Sequence, residues 1–366
     1  MSRTATIVGA GITSATAAWF LARQGWRIEV YERADVVGGH VRTEWLHGIP
    51  YEPHGAHVFH TNDHEVWRIV SEAGEFIPYR HRVLIRLRKR FLSWPLQAGE
   101  FAALPVFADV AAELANRPEV ADRTNFEAYC VSLLGPTLYT EAVRDYTVKQ
   151  WGCDPTRLDA SIAEGRVGLR RDGYRDMFRD KYQGWPRRGY TTVVESLLRS
   201  ASVHFGRAVT LDDVPAITHP GDPVIVTAPL DEFCGEPGAL DWRGVRLEAS
   251  YHPEVTHVQP AMVVNEPAPD VAWTRTVETK WALPELSDRP GTVVLHEFPG
   301  ALTKHYPVAD AAGANRGRQE QLCRRLNEYR RNPLIPAGRL GTYRYLNMDA
   351  AMRTGLDAAR RALLGS

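Results

Sequence analysis

The sequence has 366 residues, which is long enough for a sizeable hydrophobic core and for more than one domain. Its 44 Lys and Arg residues balance its 44 Asp and Glu residues, so no overall positive charge would attract nucleic acid. Four cysteines (Cys130, Cys153, Cys234 and Cys323) stand far apart without a CxxC pair, which argues against a disulfide framework and predicts no metal site. Because no apolar run reaches the ~18 residues of a membrane span and the N-terminus has no leader pattern, we expect a cytoplasmic protein without membrane contact.

The N-terminal residues have the pattern of a strand, a glycine turn, a helix and a second strand. An apolar run at residues 4–8 precedes Gly9-Ala10-Gly11, and a helical pattern then continues to Gly25. Gly9 permits a tight turn, and Gly11 lets the backbone approach a pyrophosphate at the helix N-terminus. Ser14 replaces the third glycine of this fingerprint, which predicts a slightly wider spacing of helix and strand. The predicted dinucleotide site comprises Gly9, Gly11, Ile12, Thr13, Arg33 and Glu32, whose carboxylate is placed to accept hydrogen bonds from ribose hydroxyls.

A second glycine pair, Gly38-Gly39, follows soon after Glu32 and precedes another strand pattern. Taken alone, the pair indicates a hairpin turn. Its position resembles that of a glycine pair in flavoproteins of the glutathione reductase type, so we favour FAD over NAD. Two later runs, 203–209 and 223–229, have the pattern of strands that return to the same sheet, which predicts a discontinuous dinucleotide-binding domain.

The rest of the chain predicts two further units. Residues 82–92 alternate like a strand at the edge of a separate antiparallel sheet, residues 96–165 have helical periodicity, and residues 245–307 contain further strand-like runs. The predicted fold class is α/β, with a discontinuous Rossmann-like FAD-binding domain, a helical insertion domain and an antiparallel β-sheet domain. The predicted boundaries are 1–78, 190–243 and 308–366 for the FAD-binding domain, 97–168 for the helical insertion, and 79–96, 169–189 and 244–307 for the antiparallel sheet.

Several separated motifs occur along the chain in one order. They are GAHVFHTND from Gly55, YTVKQWG from Tyr146, DKYQGWP from Asp180, WTR from Trp273, HYPV from His305 and GRLGTYRYLNM from Gly338. Together they resemble the bacterial UDP-galactopyranose mutases, FAD-dependent isomerases that interconvert pyranose and furanose forms of a nucleotide sugar. The resemblance implies that N5 of the reduced flavin attacks the anomeric carbon and expels the nucleoside diphosphate, with no net oxidation. It also implies an external reductant, either NAD(P)H or a reductase, and we expect a homodimer.

The resemblance further assigns the groups that act on the diphosphate. Arg170 and Arg275 align with the two arginines that bind it in that family, where fixed cations offset the charge on the leaving oxygen. Arg170 lies in a Gly-rich, charged stretch that we expect to close over the substrate as a lid, and Arg171 is the alternative if the register is shifted by one. Tyr182, Tyr306 and Tyr345 match tyrosines that surround the diphosphate in that family, where a phenol can donate to a phosphate oxygen. The residues to which the resemblance gives catalytic roles are Arg170, Arg275, His60, Tyr306 and Tyr345.

The remaining implied contacts concern the substrate and the flavin. The substrate-binding residues are Tyr146, Trp151, Tyr182, His81 and Asn347. The additional cofactor-binding residues are Gly38, Gly39, His40, His57, Val209, Arg339, Asn347 and Met348. A positive group such as Arg339 near flavin N1 would favour the anionic reduced state.

The two histidines of GAHVFHT admit three interpretations: metal ligands, an acid/base pair, or a wall beside the flavin. No acidic or cysteine ligand lies near them in the sequence, so the metal interpretation is the weakest. We expect His57 and His60 to point to different environments, with His60 on the flavin side.

Three departures from the family pattern bear on the substrate. Asn347 stands where the bacterial galactose enzymes have an aspartate, and His81 where an asparagine meets the hexose. Ala142 and Val143 replace bulkier side chains near the uracil. These departures favour a modified sugar or nucleotide at least as much as UDP-galactose, with UDP-N-acetylgalactosamine, UDP-arabinopyranose and TDP- or GDP-linked sugars as candidates.

Two other functions share the same nucleotide-binding opening. One is an FAD-dependent oxidase or dehydrogenase of the amine oxidase type, which needs an aromatic, largely apolar cage beside the flavin. The other is a flavin-binding protein that has lost turnover, which only Ser14 and Asn347 support. A mutase is distinguished from the oxidase by arginines and tyrosines that converge beside the flavin.

Overall fold

The computed structural model describes residues 3–118 and 120–365. The strands, in chain order, are β1 (Thr4–Val8), β2 (Arg27–Tyr31), β3 (Glu44–Leu46), β4 (Ile49–Tyr51), β5 (Phe59–Thr61), β6 (Phe76–Pro78), β7 (Val83–Leu87), β8 (Arg90–Trp94), β9 (Leu96–Gln97), β10 (Leu169–Arg170), β11 (Tyr182–Pro186), β12 (Ser202–His204), β13 (Val224–Val226), β14 (Trp242–His252), β15 (Val263–Asn265), β16 (Arg275–Val277), β17 (Thr292–Pro307) and β18 (Leu334–Pro336).

The α-helices are α1 (Ile12–Arg23), α2 (His64–Ala73), α3 (Ala98–Ala103), α4 (Ala108–Ala115), α5 (Phe126–Leu134), α6 (Pro136–Tyr139), α7 (Asp145–Trp151), α8 (Gly189–Leu198), α9 (Val214–Ile217), α10 (Leu230–Phe233), α11 (Ala314–Glu328), α12 (Gly338–Gly341) and α13 (Met348–Leu364). A π-helical turn, Thr140–Arg144, joins α6 to α7. Short 3₁₀ turns include Gly39–Val41 and Ala160–Ile162. None of the described helices is both long enough and apolar enough to cross a membrane.

A parallel sheet is built on the N-terminal strands in the order β12-β2-β1-β13-β18. The predicted strand–helix–strand opening is confirmed, as are the two returning strands, although β12 ends at His204. α1 packs against α8 and α13 over this sheet. At the crossing of α1 and α13, a Cβ on Gly355 would lie 2.4 Å from the Thr13 carbonyl oxygen, so the two helices approach this closely only with glycine there.

A second sheet has the order β14-β17-β16-β15-β7-β8. Its pairings are antiparallel except for β7 with β15, which is parallel and departs from the expected antiparallel sheet. The single strand predicted over 82–92 is wrong, because the chain reverses there into the hairpin β7–β8. The turn uses Arg88 (φ 45°) and Lys89 (φ 62°), and neither is a residue type that signals such a turn.

The helical segment after β9 has its own apolar core. Phe101 and Phe107 pack edge to face and join buried residues of α5 and α6 with Ile85 and Leu92 of the β7–β8 hairpin. A third, three-stranded sheet in the order β5-β11-β6 joins strands from the first 78 residues to β11. The fold is therefore mixed α/β, while the three predicted domain boundaries remain a proposal.

Candidate active site

One cavity of about 710 Å³ lies between the second sheet, the helical segment and the start of α13. The charged and histidine side chains that line it are His40, His54, His57, His60, His81, Glu164, Arg166, Arg275, Glu297, His305, Arg339 and Asp349. Its aromatic lining is formed by Trp94, Phe126, Tyr146, Trp151, Phe178, Tyr306 and Tyr345. The cavity is therefore large enough for a small ligand and rich in groups that can hydrogen-bond it.

The Rossmann-like opening has the features of a dinucleotide site. Gly9 has φ 100°, and a Cβ there would lie 2.5 Å from Thr227 Oγ1, which explains the glycine. At Gly11, the N-cap of α1, no atom lies within 4 Å of where a Cβ would be, and no side chain caps the helix. Open space in front of uncapped N–H groups fits a pyrophosphate.

The Glu32 carboxylate is oriented beside this opening. It accepts hydrogen bonds from the backbone N–H of Ala10 (2.7 Å) and of Ala34 (2.8 Å), which fixes it at the end of β2. Ser14, at the third glycine position, hydrogen-bonds Thr227 through its hydroxyl (2.7 Å). These contacts leave Glu32 in place to meet a ribose.

The other residues predicted to contact the cofactor lie in several environments. Gly11 and Gly38 form a backbone bridge, and the N–H of Gly38 donates to the Ala10 carbonyl (2.9 Å), so the two glycine turns touch. The predicted residues that line the cavity itself are His40, His57, Arg339, Asn347 and Met348. Ile12 and Thr13 are buried in the first turn of α1, whereas Val209 packs in an apolar cluster with Val8. Arg33 is exposed and pairs with Glu232 (3.2 Å).

Three of the lining histidines, His40, His54 and His305, touch one another. The rings of His40 and His305 stack with centroids 4.3 Å apart, and His305 Nε2 lies 3.3 Å from His54 Nδ1. Burial lowers the pKa of His54 to about 4 and that of His305 to about 3, and it lowers the pKa of His40 well below its usual value. These histidines are therefore neutral near pH 7. Among the described residues, no three His, Cys, Asp or Glu side chains are grouped to hold a metal ion.

Both histidines of GAHVFHT line the cavity, but their partners differ. His60 Nδ1 lies 2.7 Å from Asp180 Oδ2, and its ring stacks on Phe178 with centroids 3.5 Å apart. The backbone N–H of His57 donates to the buried Glu52 carboxylate (2.6 Å). Which of the two faces the flavin remains a prediction.

His81 is buried at the cavity wall, and its Nδ1 has no hydrogen-bond partner among the described residues. Burial, reinforced by the positive charge of Arg275, lowers its pKa to about 3. A neutral imidazole has one donor and one acceptor nitrogen, which suits a substrate hydroxyl.

Arg275 at the start of β16 pairs with Glu297 on the neighbouring strand β17, its register partner. Arg275 Nη2 lies 2.6 Å from Glu297 Oε2, and Nε donates to the same oxygen (2.8 Å). Burial by itself would lower the pKa of Arg275, but the carboxylate of Glu297 outweighs it and raises that pKa. The pair fixes the guanidinium at the cavity wall.

Two stacked tyrosines lie between arginines in the same cavity. The rings of Tyr306 and Tyr345 are 5.8 Å apart with an interplanar angle of 13°. The Arg339 guanidinium lies 4.6 Å from the Tyr345 ring centroid, and that of Arg166 lies 3.5 Å from it. Burial alone would raise the pKa of Tyr345, but the charges of Arg166, Arg339 and Arg275 leave that pKa lowered.

One face of α7 also lines the cavity, with Tyr146, Gln150 and Trp151. Gln150 is buried, and its side-chain oxygen has no partner within the described chain. On another side of α7, Lys149 Nζ donates to the backbone carbonyls of Glu266, Ala268, Val271 and Trp273 at 2.7 to 3.0 Å. Lys149 thereby fastens α7 to the loop that leads to Arg275.

The N-terminus of α13 reaches the cavity through Asn347, its N-cap, and Met348. The Asn347 side chain does not cap the helix. The backbone N–H of Ala350 donates to Asp349 Oδ1 (2.7 Å), so the N–H groups of Met348 and Asp349 are left to present the partial positive charge of the helix N-terminus.

Three residues that the sequence placed near the diphosphate are not among the lining residues. Arg170 donates to the backbone carbonyls of Tyr174 (3.0 Å), Asp176 (2.5 Å) and Met177 (2.9 Å). Its neighbour Arg171 is exposed. Tyr182 stacks instead on Trp67 with ring centroids 5.2 Å apart.

The sequence did not single out three residues that the structure brings to the cavity: Arg166, Glu297 and His305. Arg166 is separated from Tyr345 by most of the C-terminal half of the chain, and the register of β16 with β17 that pairs Glu297 with Arg275 has no local signal. His305 was visible, because it belongs to the HYPV motif from which only Tyr306 was selected.

The fold and this cavity together define an α/β protein of the Rossmann-like nucleotide-binding class with an arginine-lined site. A sequence profile of NAD(P)-binding Rossmann-like domains matches residues 7–73. A profile of UDP-galactopyranose mutases matches residues 141–345, more than half of the chain. The chain belongs to the UDP-galactopyranose mutase family, which makes it an isomerase of pyranose and furanose forms of a nucleotide sugar and implies a flavin cofactor.

Individual relatives agree with this family. The chain is 29% identical to a probable UDP-galactopyranose mutase of Klebsiella pneumoniae, covering 96% of this chain and 93% of that protein. It is 28% identical to a dTDP-fucopyranose mutase of Escherichia coli, covering 97% of each. The crystal structure of a reduced UDP-galactopyranose mutase matches with a TM-score of 0.79 at 16% identity, over 100% of this chain and 96% of that one. A putative protoporphyrinogen oxidase from Exiguobacterium sp. 255-15 shares the fold, with a TM-score of 0.73 at 13% identity over 100% of both chains.

Proposed function

We propose that this protein is a flavin-dependent mutase that interconverts the pyranose and furanose forms of UDP-galactose or of a variant sugar nucleotide. The observation that carries the proposal is the convergence of Arg166, Arg275 and Arg339 on one cavity beside stacked tyrosines. When a diphosphate leaves the anomeric carbon, negative charge develops on its oxygen, and fixed guanidinium groups stabilise that charge.

We propose FAD, active when reduced, as the cofactor. The open backbone at Gly11 and the amide-held Glu32 fit its adenosine diphosphate half. The neutral histidine wall and the N-terminus of α13 fit the flavin ring. When bound, the reduced flavin would supply the nucleophile for the anomeric carbon. Arg339 and the first-turn N–H groups of α13 would hold negative charge on that ring.

The other residues would position the sugar. Arg275, fixed by Glu297, would hold the diphosphate so that the anomeric carbon faces the flavin. His81 would exchange hydrogen bonds with a sugar hydroxyl, because its Nδ1 has no other partner in the described part of the chain. Tyr146 and Trp151 would cover the nucleoside and exclude water. Arg170 would join them only after it exchanges its three carbonyl partners for the phosphates, which is the predicted closure of the lid.

The identity of the sugar follows from no single residue. The two relatives have almost the same identity to this chain, and one is described as acting on a UDP sugar and the other on a dTDP sugar. Ala142 and Val143 are buried and line the cavity just before α7, where their small side chains leave room for a substituted base.

The charge of the cavity favours the mutase over an oxidase of the amine oxidase type. Such an oxidase binds its substrate in an apolar cage, whereas this cavity carries three arginines. The similarity to the putative protoporphyrinogen oxidase shows the fold alone.

The test is to incubate the FAD-loaded protein, reduced with dithionite or left oxidised, with UDP-galactopyranose and a panel of UDP, dTDP and GDP sugars. We expect furanose products, separated by chromatography, only with reduced protein. Full turnover by oxidised protein, or no conversion of any sugar nucleotide, would contradict the proposal. Cytoplasmic location, the external reductant and the homodimer remain predictions.

A further inference from the structure

Arg166 lies in the turn between the 3₁₀ segment Ala160–Ile162 and β10, and its side chain lines the cavity. It forms an ion pair with no carboxylate among residues 3–118 and 120–365. Glu164, two residues earlier, pairs with Arg123 instead. The Arg166 guanidinium is half-buried and donates to the backbone carbonyl of Ile162. A half-buried guanidinium without a carboxylate partner can form a charge-assisted contact with an anionic ligand that enters the cavity.

The orientation of Arg166 leaves donors free. Its guanidinium carbon lies 3.5 Å from the centroid of the Tyr345 ring, a distance at which the flat group stacks on the ring face. Stacking occupies the face of a guanidinium and leaves its in-plane N–H groups available, and one of them is used by Ile162. The guanidinium also hydrogen-bonds the Tyr345 side chain, and both residues line the cavity, where the other N–H groups of Arg166 can meet a ligand.

The other arginines in or near the cavity already have partners within the protein. Arg275 is neutralised by Glu297, with two contacts of 2.6 and 2.8 Å. Arg339 donates through Nε and Nη2 to the Leu346 carbonyl at 3.1 and 2.7 Å. Arg170 is held by three backbone carbonyls away from the lining. Of the three arginines that line the cavity, Arg166 is therefore the one that has, within the described residues, neither a carboxylate partner nor more than one backbone carbonyl partner.

We propose that Arg166 is a diphosphate-binding residue of this enzyme, which meets the phosphates before Arg170 is released from its loop and aligns the Tyr345 hydroxyl toward the same oxygens. The proposal rests on the proposed function, because the diphosphate is a leaving group only if the protein is a mutase. Its test, however, measures the binding of nucleotides and not their conversion.

The experiment titrates oxidised, FAD-loaded protein with UDP, dTDP, UMP and uridine, and follows binding by calorimetry. We expect Arg166→Ala to weaken UDP and dTDP binding by about 10-fold to 100-fold, because it removes a charge-assisted contact. Uridine binding should stay within about twofold, since no charge is involved. Arg166→Lys, which keeps the charge without the fork, should give an intermediate loss. Arg157→Ala removes an exposed arginine of the same helical segment and serves as the matched control.

A second readout separates this role from a structural one. The ionisation of Tyr345 is followed by the absorbance of tyrosinate, as the difference between the protein and its Tyr345→Phe variant. Because Arg166 lowers the pKa of Tyr345, Arg166→Ala should raise that pKa, and so should UDP added to the unchanged protein.

Two outcomes overturn the proposal. One is UDP binding by Arg166→Ala within about twofold of that by the unchanged protein. The other is an equal loss for uridine and UDP, which would mean that the substitution disturbs the fold or the base site. If no sugar nucleotide is converted but UDP binding still depends on Arg166, the proposed function fails and this inference stands.

Discussion

The ion pair of half-buried Arg275 with buried Glu297 makes the function of this cavity testable through protein stability. Glu297 is 1% exposed, and its carboxylate is the only acidic partner of Arg275 in the described part of the chain. Replacing it by glutamine keeps the shape but leaves the half-buried Arg275 guanidinium without its counterion, which costs about 3 kcal/mol of folding free energy, the lower end of the range for a broken buried pair. With an unfolding entropy of about 2.1 cal/mol/K per residue, this corresponds to a fall in Tm of roughly 4 °C.

A nucleoside diphosphate should reverse part of that loss. In Glu297→Gln the phosphates become the counterion of Arg275, so UDP should stabilise the variant by about 1 to 2 kcal/mol more than it stabilises the unchanged protein. The assay is a thermal melt of FAD-loaded protein with and without saturating UDP, with urea unfolding as a check. The double variant Glu297→Gln/Arg275→Met should recover stability and lose the extra stabilisation by UDP, while it keeps the part of the response that other residues provide.

The rise in Tm that UDP causes in each variant, compared with its rise in the unchanged protein, decides whether Arg275 contacts the diphosphate. If Glu297→Gln melts early but UDP raises its Tm by the same amount as in the unchanged protein, Arg275 does not contact the diphosphate. If the double variant keeps the full response to UDP, the same conclusion follows. Uridine is the control ligand, because it has the base without the charge.

Three further predictions follow from buried contacts. The first concerns buried His305 and His81, each with a pKa of about 3. Between about pH 6 and 4 each of them binds a proton in the unfolded chain but not in the folded protein, so each should lower the free energy of unfolding by ~1.4 kcal/mol for every pH unit that the pH falls. His305→Asn should remove the contribution of one histidine from this pH dependence, measured by urea unfolding at several pH values. Glu32→Gln should weaken FAD retention about tenfold or more in equilibrium dialysis, because the carboxylate that accepts two backbone N–H bonds would also meet the ribose of the proposed FAD. Asp35→Asn, at an exposed position nearby, should leave retention unchanged. Lys149→Met leaves four carbonyl oxygens without their donor, so it should lower Tm by several degrees and raise KM more than it lowers kcat. Lys149→Arg should have a smaller effect on both. An unchanged KM in Lys149→Met would show that α7 does not position the nucleotide.

The sequence predicted those parts of the fold that local patterns determine. The opening around Gly9 and Gly11 was recognisable because its turn, helix and acidic residue lie within about thirty residues. The β7–β8 hairpin was missed because Arg88 and Lys89 carry its turn without glycine or asparagine. The Arg88 side chain instead holds the turn through Asp109 and Glu141 on the helical segment, and no local pattern predicts such tertiary contacts.

The candidate site was predictable by residue type more than by arrangement. Motifs identified Arg275, Tyr306 and Tyr345, and the cavity contains all three. The partners that determine their charge lie on other elements, as Glu297 does for Arg275 through the register of two strands. Motif position also cannot show that Arg170 is bound to its own loop, because its carbonyl partners depend on how that loop folds.

The division of charge between arginine and histidine in this cavity would allow one site to hold both the proposed diphosphate and the proposed flavin. Arginine does not deprotonate in proteins, so the positive charge is present at every working pH. The buried histidines are kept neutral by burial and by those same arginines, so they add hydrogen-bonding groups without adding charge. The attraction for a diphosphate should therefore be almost constant from about pH 6 to 8 and should fall only when Tyr345, whose pKa is lowered, becomes a phenolate beside Arg166.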